Sequence, residues 1–145
     1  ITVVTSGYFD PIHIGHLEYL EKAKQLGNKL IVIVNNDKQV KLKKGKFFMN
    51  ENERLKIMKA IKYVDDAILS IDEDRSVSKT LESLIPKPDI FANGGDVNYE
   101  NCRERETCER LGISMIYNLG EKIQSSSYLI KLSMQWEKET NLYSI

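Results

Sequence analysis

The chain has little of what marks several common classes of protein. Its 145 residues include two cysteines, two histidines and one tryptophan, and 21 Lys and Arg balance 21 Asp and Glu to a formal net charge of zero. A general nucleic-acid binder usually shows a basic excess, so we expect no nucleic-acid partner. No apolar run approaches the length of about 18 residues that marks a membrane helix, so we expect no membrane association.

The two cysteines, Cys102 and Cys108, lie in the charged stretch NCRERETCER without a second Cys or His pair nearby. That spacing disfavours a zinc site. We expect two free thiols, as in a reducing cytoplasm. The first residues lack a basic start and a long apolar region, so we expect a cytoplasmic protein without a secretory signal.

Strand-like and helix-like segments alternate along the sequence. Runs rich in Val, Ile and Leu predict strands, and apolar residues at helical spacing predict helices. The predicted strands cover 1–6, 29–36, 65–71, 89–95 and 113–119, the last as an inner strand. The predicted helices cover 15–26, 50–64, 76–85, 99–112 and 125–139. The segment 37–49 is predicted to be a loop. The pattern predicts one α/β domain over 1–145, with a Rossmann-like open, mostly parallel sheet and helices on both faces.

The residues that could take part in binding or catalysis fall in four turns that follow predicted strands. In an open parallel sheet, ligands bind beyond the carboxyl ends of the strands. The four turns are SGYFDPIHIGH, NNDKQVKLKKGK, NGGD and LGEKIQSSS. We therefore expect an active site at this edge of the sheet.

The first turn holds both histidines, His13 and His16, ahead of a helix. Gly7 permits a close backbone approach, and free N–H groups at a helix start bind anions. As neutral donors or as imidazolium ions, the two side chains suit the stabilisation of charge on a phosphoryl group. Alternatively, they cap the turn and pack. A metal pair is disfavoured because no third histidine exists.

The other three turns each have two interpretations. The lysines of the second turn form a phosphate clamp or a solvated basic loop; they are Lys41, Lys43, Lys44 and Lys46. The glycines of NGGD let the backbone close on a base or ribose, or they make a simple tight turn. The serines of the fourth turn bind phosphate or cap the last helix.

The motif GYFDPIHIGH resembles the HxGH signature of the nucleotidyltransferase superfamily. With ERLKIMKAIKYVDDAI and the serine-rich final turn, nearly the whole chain resembles the cytidylyltransferase-like family, typified by glycerol-3-phosphate cytidylyltransferase. The resemblance implies transfer of CMP from CTP to a small phosphorylated alcohol, a polyol or sugar phosphate, with release of pyrophosphate. It also implies Mg²⁺ held through the phosphates, with no metal ligand from the protein, and a homodimer that pairs through KYVDDAILSI.

The resemblance further implies roles for individual residues. The implied catalytic residues are His13, His16, Lys43, Lys46 and Ser126. The implied nucleotide contacts are Gly7, Tyr8, Phe9, Asp10, Gly15, Arg54, Asn93, Gly94, Asp96, Lys122, Ser125 and Ser127. The implied substrate contacts are Asp10, Asp37, Lys43, Lys44 and Lys62.

Some of these roles have structural alternatives. Asp37 is equally suited to capping a helix or turn, and Arg54 to a surface ion pair with a neighbouring Glu. Lys62 stands where relatives often carry an arginine, and lysine lacks the bidentate geometry. Gly120 stands where the family has an arginine before the serine triplet, and Lys122 is the expected substitute.

The sequence also suits functions other than transfer of CMP. The same fold suits an adenylyltransferase that uses ATP on a heptose phosphate or a flavin precursor. It also suits a nucleotide-binding protein without catalysis, or an electron-transfer flavoprotein.

Overall fold

A computed structural model describes residues 1–120 and 134–135 of the chain. The strands are β1 Thr2–Gly7, β2 Lys29–Val34, β3 Asp66–Leu69, β4 Ile90–Gly94 and β5 Ser114–Leu119. The helices are α1 Ile14–Lys24, α2 Asp37–Lys44, α3 Glu51–Lys59, α4 Ser78–Ser83 and α5 Arg105–Leu111. The helix predicted for 125–139 lies outside the described residues, except that 134 and 135 are helical.

The strands form one parallel sheet in the order β3-β2-β1-β4-β5. The register of β1 and β2 runs from Thr2 opposite Lys29 to Gly7 opposite Val34. Along the chain, β2 and β3 are added on one side of β1, and β4 and β5 are then added on the other side. This reversal opens a crevice beyond the carboxyl ends of β1 and β4, where ligands bind in such sheets. The predicted Rossmann-like α/β fold is confirmed.

Helices cover both faces of the sheet, as predicted. Val3 packs on one face in a cluster with Leu20 of α1. Its neighbour Val4 packs on the other face in a cluster with Leu81 of α4 and Cys108 of α5. All five side chains are buried. Successive side chains of a strand point to opposite faces, so β1 contributes to both halves of the core.

The segment 37–49, predicted to be a loop, contains helix α2. The Asn36 side chain accepts the Gln39 N–H, and the Gln39 side chain accepts the Asn36 N–H in return. Gly45 ends the helix in the left-handed conformation with φ of 84°. The prediction was wrong because α2 buries only Gln39 and Val40, too few apolar positions to give a helical period.

The place of β5 in the sheet and the end of α3 also differ from the prediction. In the described part of the chain β5 pairs with β4 alone, so it is an edge strand rather than an inner one. Its residues are half-buried or exposed, because no second neighbour strand covers them. Helix α3 ends at Lys59 rather than at 64, because the chain turns after Ala60 toward β3.

We expect Asn36→Ala to lower the free energy of unfolding by about 2 kcal/mol, since it removes an N-cap and two further hydrogen bonds. The Asn36 Nδ2 donates at 3.0 Å to the carbonyls of both Ser70 and Asp72. The measurement is the urea unfolding curve. Asn52→Ala, at an exposed position in α3, is the matched control and should stay near the wild type. Equal midpoints for the two variants would contradict a stabilising role for this cap.

Candidate active site

A cavity of about 530 Å³ opens at the carboxyl edge of the sheet. It brings together residues from the first three predicted turns, and Gly120 from the fourth. The predicted site residues that line it are Gly7, Tyr8, Phe9, His13, Gly15, His16, Lys43, Lys44, Asn93 and Gly94.

The turn after β1 is shaped by Phe9, which folds back over Gly7. A Cβ at Gly7 would lie 2.6 Å from the Phe9 Cζ, so only glycine fits there. Phe9 has a φ of 51° and is buried. Its ring meets the His16 ring edge to face, with centroids 5.0 Å apart. The loop after β1 therefore packs, through the Phe9 ring, against the first turn of α1, which carries His16.

The two histidines stack at the start of α1, with ring centroids 3.9 Å apart and planes inclined by 26°. The His13 Nδ1 accepts the Gly15 N–H at 3.1 Å, and the His16 Nδ1 accepts the His13 N–H at 3.1 Å. Because each Nδ1 is an acceptor, the proton of each neutral ring is on Nε2. Capping therefore leaves an Nε2–H donor on each ring in the cavity wall.

Burial and neighbouring charges hold both rings in the neutral form. Burial is the main cause that lowers the pKa of His16 to about 3, and His13, Lys44 and Lys43 lower it further. Burial, followed by Lys44, also lowers the pKa of His13. Of the two charge states expected from the sequence, the neutral donor is the one that this environment favours.

Two lysines of α2 reach the cavity. The Lys43 Nζ lies 4.3 Å from the centroid of the Tyr8 ring. The Lys44 Nζ donates to the Asp10 carbonyl at 2.8 Å, and burial lowers its pKa. Lys46 follows the left-handed residue that ends α2, is exposed, and does not line the cavity. Lys43 and Lys44 are therefore the better candidates for phosphate contacts.

The Asp10 carboxylate faces the protein rather than the cavity. It is fully buried, and its oxygens accept the N–H groups of Met49 and Phe48 at 2.6 and 2.7 Å. Such charge-assisted bonds are strong. Asp10 is not among the cavity-lining residues. The Asp10 carboxylate holds the 47–49 segment against the turn after β1, and its expected ligand contact stays a prediction.

Arg54 and Asp37 form an ion pair behind the cavity wall. Arg54 is 1 % exposed, and its guanidinium donates to the carbonyls of Met49, Tyr8 and Asn35 at 2.9, 2.8 and 2.6 Å. Its second terminal nitrogen bonds the Asp37 carboxylate at 2.8 Å. Arg54 therefore does not form the alternative surface ion pair with a neighbouring Glu. Neither Arg54 nor Asp37 lines the cavity. Both position the backbone that does.

The turn after β4 contributes a backbone wall. Asn93 and Gly94 line the cavity. A Cβ at Gly94 would lie 2.9 Å from both the Leu119 carbonyl oxygen and the Tyr19 ring, which explains the glycine by close packing. Asp96 is exposed and lies outside the lining, so its expected ribose contact stays a prediction.

Lys62 lies at the opposite edge of the sheet. It follows the end of α3 and precedes β3, which begins at Asp66, and its Nζ lies 5.2 Å from the centroid of the Tyr63 ring. Lys62 does not line the cavity, because α3 carries the chain back to the amino ends of the strands, and its expected phosphate contact stays a prediction. Other predicted residues lie outside the described part of the chain: Lys122, Ser125, Ser126 and Ser127. Their roles stay predictions.

Three charged residues line the cavity that sequence reasoning did not select: Arg75, Arg103 and Glu104. Arg75 lies in the turn after β3, so applying the carboxyl-edge rule to every strand would have found it. The other two fell inside the predicted helix 99–112, whereas α5 begins only at Arg105.

In residues 1–120 and 134–135, no group of three or more His, Cys, Asp or Glu side chains could hold a metal ion. No helix in the same residues is long and apolar enough to cross a membrane. Both cysteines are free and buried, which confirms the expected thiols.

Comparison with known proteins gives consistent similarities over most of the chain. The protein-family model described as cytidylyltransferase-like matches residues 4–131. The FAD synthase of Ferroglobus placidus is 43 % identical over 111 residues, which cover 77 % of this chain and 70 % of that protein. The FAD synthase of Thermoplasma acidophilum is 34 % identical over 140 residues, which cover 93 % and 95 %.

A solved structure is similar in both sequence and fold. It is the crystal structure of the lipopolysaccharide core biosynthesis protein from Thermoplasma volcanium GSS1, with a TM-score of 0.71 and 32 % identity. The match covers 86 % of this chain and 98 % of that one. The likeness therefore spans most of both chains.

We expect Asp10→Asn to lower the free energy of unfolding by about 3 kcal/mol, because the new NH₂ sets a donor against a buried N–H donor. The affected bonds are those from Phe48 and Met49. Urea unfolding measures the change. Asp66→Asn, an exposed aspartate of β3, is the matched control. A variant as stable as the wild type would show that the Asp10 carboxylate does not hold this segment.

We expect the His16 ring to stay neutral from pH 8 down to about pH 4 in the ligand-free protein, since its pKa is lowered to about 3. An ordinary histidine gains its proton near pH 6.5. NMR of the ring protons measures both titrations, and His16→Asn assigns the two signals because the chain has only two histidines. A midpoint near 6.5 for His16 would contradict the neutral-donor assignment.

Proposed function

Because this chain belongs to the cytidylyltransferase-like family of nucleotidyltransferases, we propose that it transfers AMP from ATP to a phosphorylated acceptor of the flavin mononucleotide (FMN) type. The observation that carries the proposal is the cavity with two neutral histidine donors beside Lys43 and Lys44. A site of this kind suits a phosphoryl group whose charge increases during reaction.

The preference for ATP over the expected CTP rests on the relatives. FAD consists of FMN joined to AMP, so a protein named FAD synthase attaches an adenylyl group. These relatives match this chain over most of its length. They favour the adenylyltransferase alternative over transfer of CMP to a polyol phosphate.

The proposed reaction is a single displacement at phosphorus. An oxygen of the acceptor phosphate bonds to the α-phosphorus of ATP. The bond from that phosphorus to the bridging oxygen breaks, and its electron pair leaves with pyrophosphate. No protein atom becomes covalently attached, so catalysis depends on position and on charge stabilisation.

The histidines act in this reaction as fixed hydrogen-bond donors. Their Nδ1 atoms hold backbone N–H groups, so both rings are oriented before substrate binds. The Nε2–H groups of His13 and His16 then donate to the oxygens of the α-phosphoryl group, where negative charge builds up. The ammonium groups of Lys43 and Lys44 balance the charge of the triphosphate.

Mg²⁺ would be held through the phosphates of the nucleotide, where it would neutralise part of their charge. Among the described residues that line the cavity, Glu104 is the only carboxylate, and it accepts the Val77 N–H at 3.0 Å. The described cavity thus offers the ion no carboxylate cluster, so the phosphates supply the ligands.

A sugar phosphate is the second candidate acceptor. It is favoured by the similar structure from Thermoplasma volcanium, which is titled a lipopolysaccharide core biosynthesis protein. The reaction would be the same, with a sugar phosphate oxygen as nucleophile. The homodimer and the cytoplasmic location expected from the sequence stay predictions.

The test supplies ATP or CTP with Mg²⁺, each with FMN, a heptose phosphate or glycerol 3-phosphate, and separates the products by chromatography. We expect FAD and pyrophosphate from ATP and FMN. His16→Asn keeps an acceptor for the His13 N–H but loses the Nε2–H, so we expect the rate to fall about 100-fold or more. CDP-glycerol as the main product would instead support transfer of CMP from CTP to a polyol phosphate. No product from any combination of nucleotide and acceptor would favour a non-catalytic protein.

A further inference from the structure

Arg75 and Arg103 differ from the other arginines of the chain. Arg54 and Arg110 are engaged in ion pairs, and Arg105 donates to a backbone carbonyl and stacks on a tyrosine ring. Among the described residues, Arg75 and Arg103 have no ion-pair partner within 4.0 Å, and both are exposed. These two are also the arginines that line the cavity.

The backbone around Arg75 is held firmly by α2. The buried Gln39 donates from Nε2 to the carbonyls of Asp74 and Ser76 at 2.7 Å each, on both sides of Arg75. The Asp74 carboxylate also accepts the Ser76 N–H and hydroxyl at 2.9 and 2.7 Å. The turn that carries Arg75 is thus fixed to the helix that carries Lys43, and within residues 1–120 and 134–135 the Arg75 side chain has no ion-pair partner.

Glu104 ties the Arg103 turn to the same region. Its buried carboxylate accepts the N–H of Val77, two residues after Arg75. Since Arg103 directly precedes Glu104, this bond fixes the two arginine-bearing turns beside each other. The two arginines also line a neighbouring cavity of about 460 Å³, so they stand where the two cavities meet.

The cavity therefore has two cationic groups on different elements. Lys43 and Lys44 come from α2, beside the histidines, and Arg75 and Arg103 come from the turns before α4 and α5. Glu104 is the one carboxylate among the described lining residues. The described lining of this cavity therefore carries four cationic side chains and one carboxylate, a balance that suits two anions rather than one. The neighbouring cavity differs, because it is also lined by the carboxylates of Asp72, Glu73, Asp74 and Glu106.

We propose that Arg75 and Arg103 bind the phosphate of the acceptor, while the histidine and lysine group binds the triphosphate. The inference rests on the proposed nucleotidyl transfer but not on the identity of the acceptor. The reaction brings two anions together, because a phosphate oxygen must approach a phosphorus that already bears negative oxygens. A separate guanidinium pair holds the nucleophile with bidentate geometry and offsets this repulsion.

The first experiment tests the anion site directly with inorganic phosphate as the probe. The protein is saturated with a non-hydrolysable ATP analogue and Mg²⁺, and phosphate is titrated in a calorimeter. We expect one further phosphate to bind the wild type, and its Kd to rise about tenfold or more in Arg75→Gln and in Arg103→Gln. Arg110→Gln, an exposed arginine of α5 paired with Glu82, is the control and should bind as the wild type does. No binding to the wild type, or unchanged binding in both variants, would overturn the proposal.

The second experiment separates the two substrates kinetically. With whichever acceptor gives product, we expect both variants to raise the KM for the acceptor about tenfold or more and to leave the KM for ATP near its wild-type value. A rise in the KM for ATP alone would assign the arginines to the triphosphate and overturn the proposal. A protein that makes no FAD but shows arginine-dependent phosphate binding would overturn the FMN assignment and support the acceptor site.

Discussion

The buried guanidinium of Arg54 is the interaction on which the rest of the site depends. It binds carbonyls from the turn after β1, the end of β2 and the segment before α3, and it pairs with Asp37 at the start of α2. Breaking a buried ion pair by removing one partner typically costs about 3–5 kcal/mol. One side chain thus holds together three chain segments, two of which line the cavity through Tyr8 and Asn35.

Stability and chemistry share the same atoms at the start of α1. The Nδ1 atoms of His13 and His16 satisfy backbone donors, and this leaves the Nε2–H groups oriented. Burial, assisted by the charge of the nearby lysines, lowers the pKa of both rings and keeps them neutral. The stacked pair therefore tolerates two cations beside it, which two imidazolium ions would not.

Sequence patterns located most of the cavity lining, but they did not indicate which nearby side chains bond to the protein backbone instead of facing the cavity. The first three turns do meet at one edge, and the histidines, Lys43 and Gly94 do line the cavity. Asp10 and Arg54 belong to the same motifs, yet they bond to backbone groups. A motif fixes which residue types are near, whereas the direction of each side chain depends on which partners the folded backbone presents.

The sequence by itself determined the α/β class, the parallel sheet, the edge of the sheet where the cavity opens and the place of the histidine pair in it. These depend on local periodicity and on turn residues, which can be read within a short window. Only the tertiary structure decided that α2 is a helix, that Lys62 lies at the far edge and that Arg75 joins Arg103 at the cavity. Those outcomes depend on contacts between segments far apart in the chain. Gln39 reaching the carbonyls on both sides of Arg75 is such a contact, and no short stretch of sequence contains it.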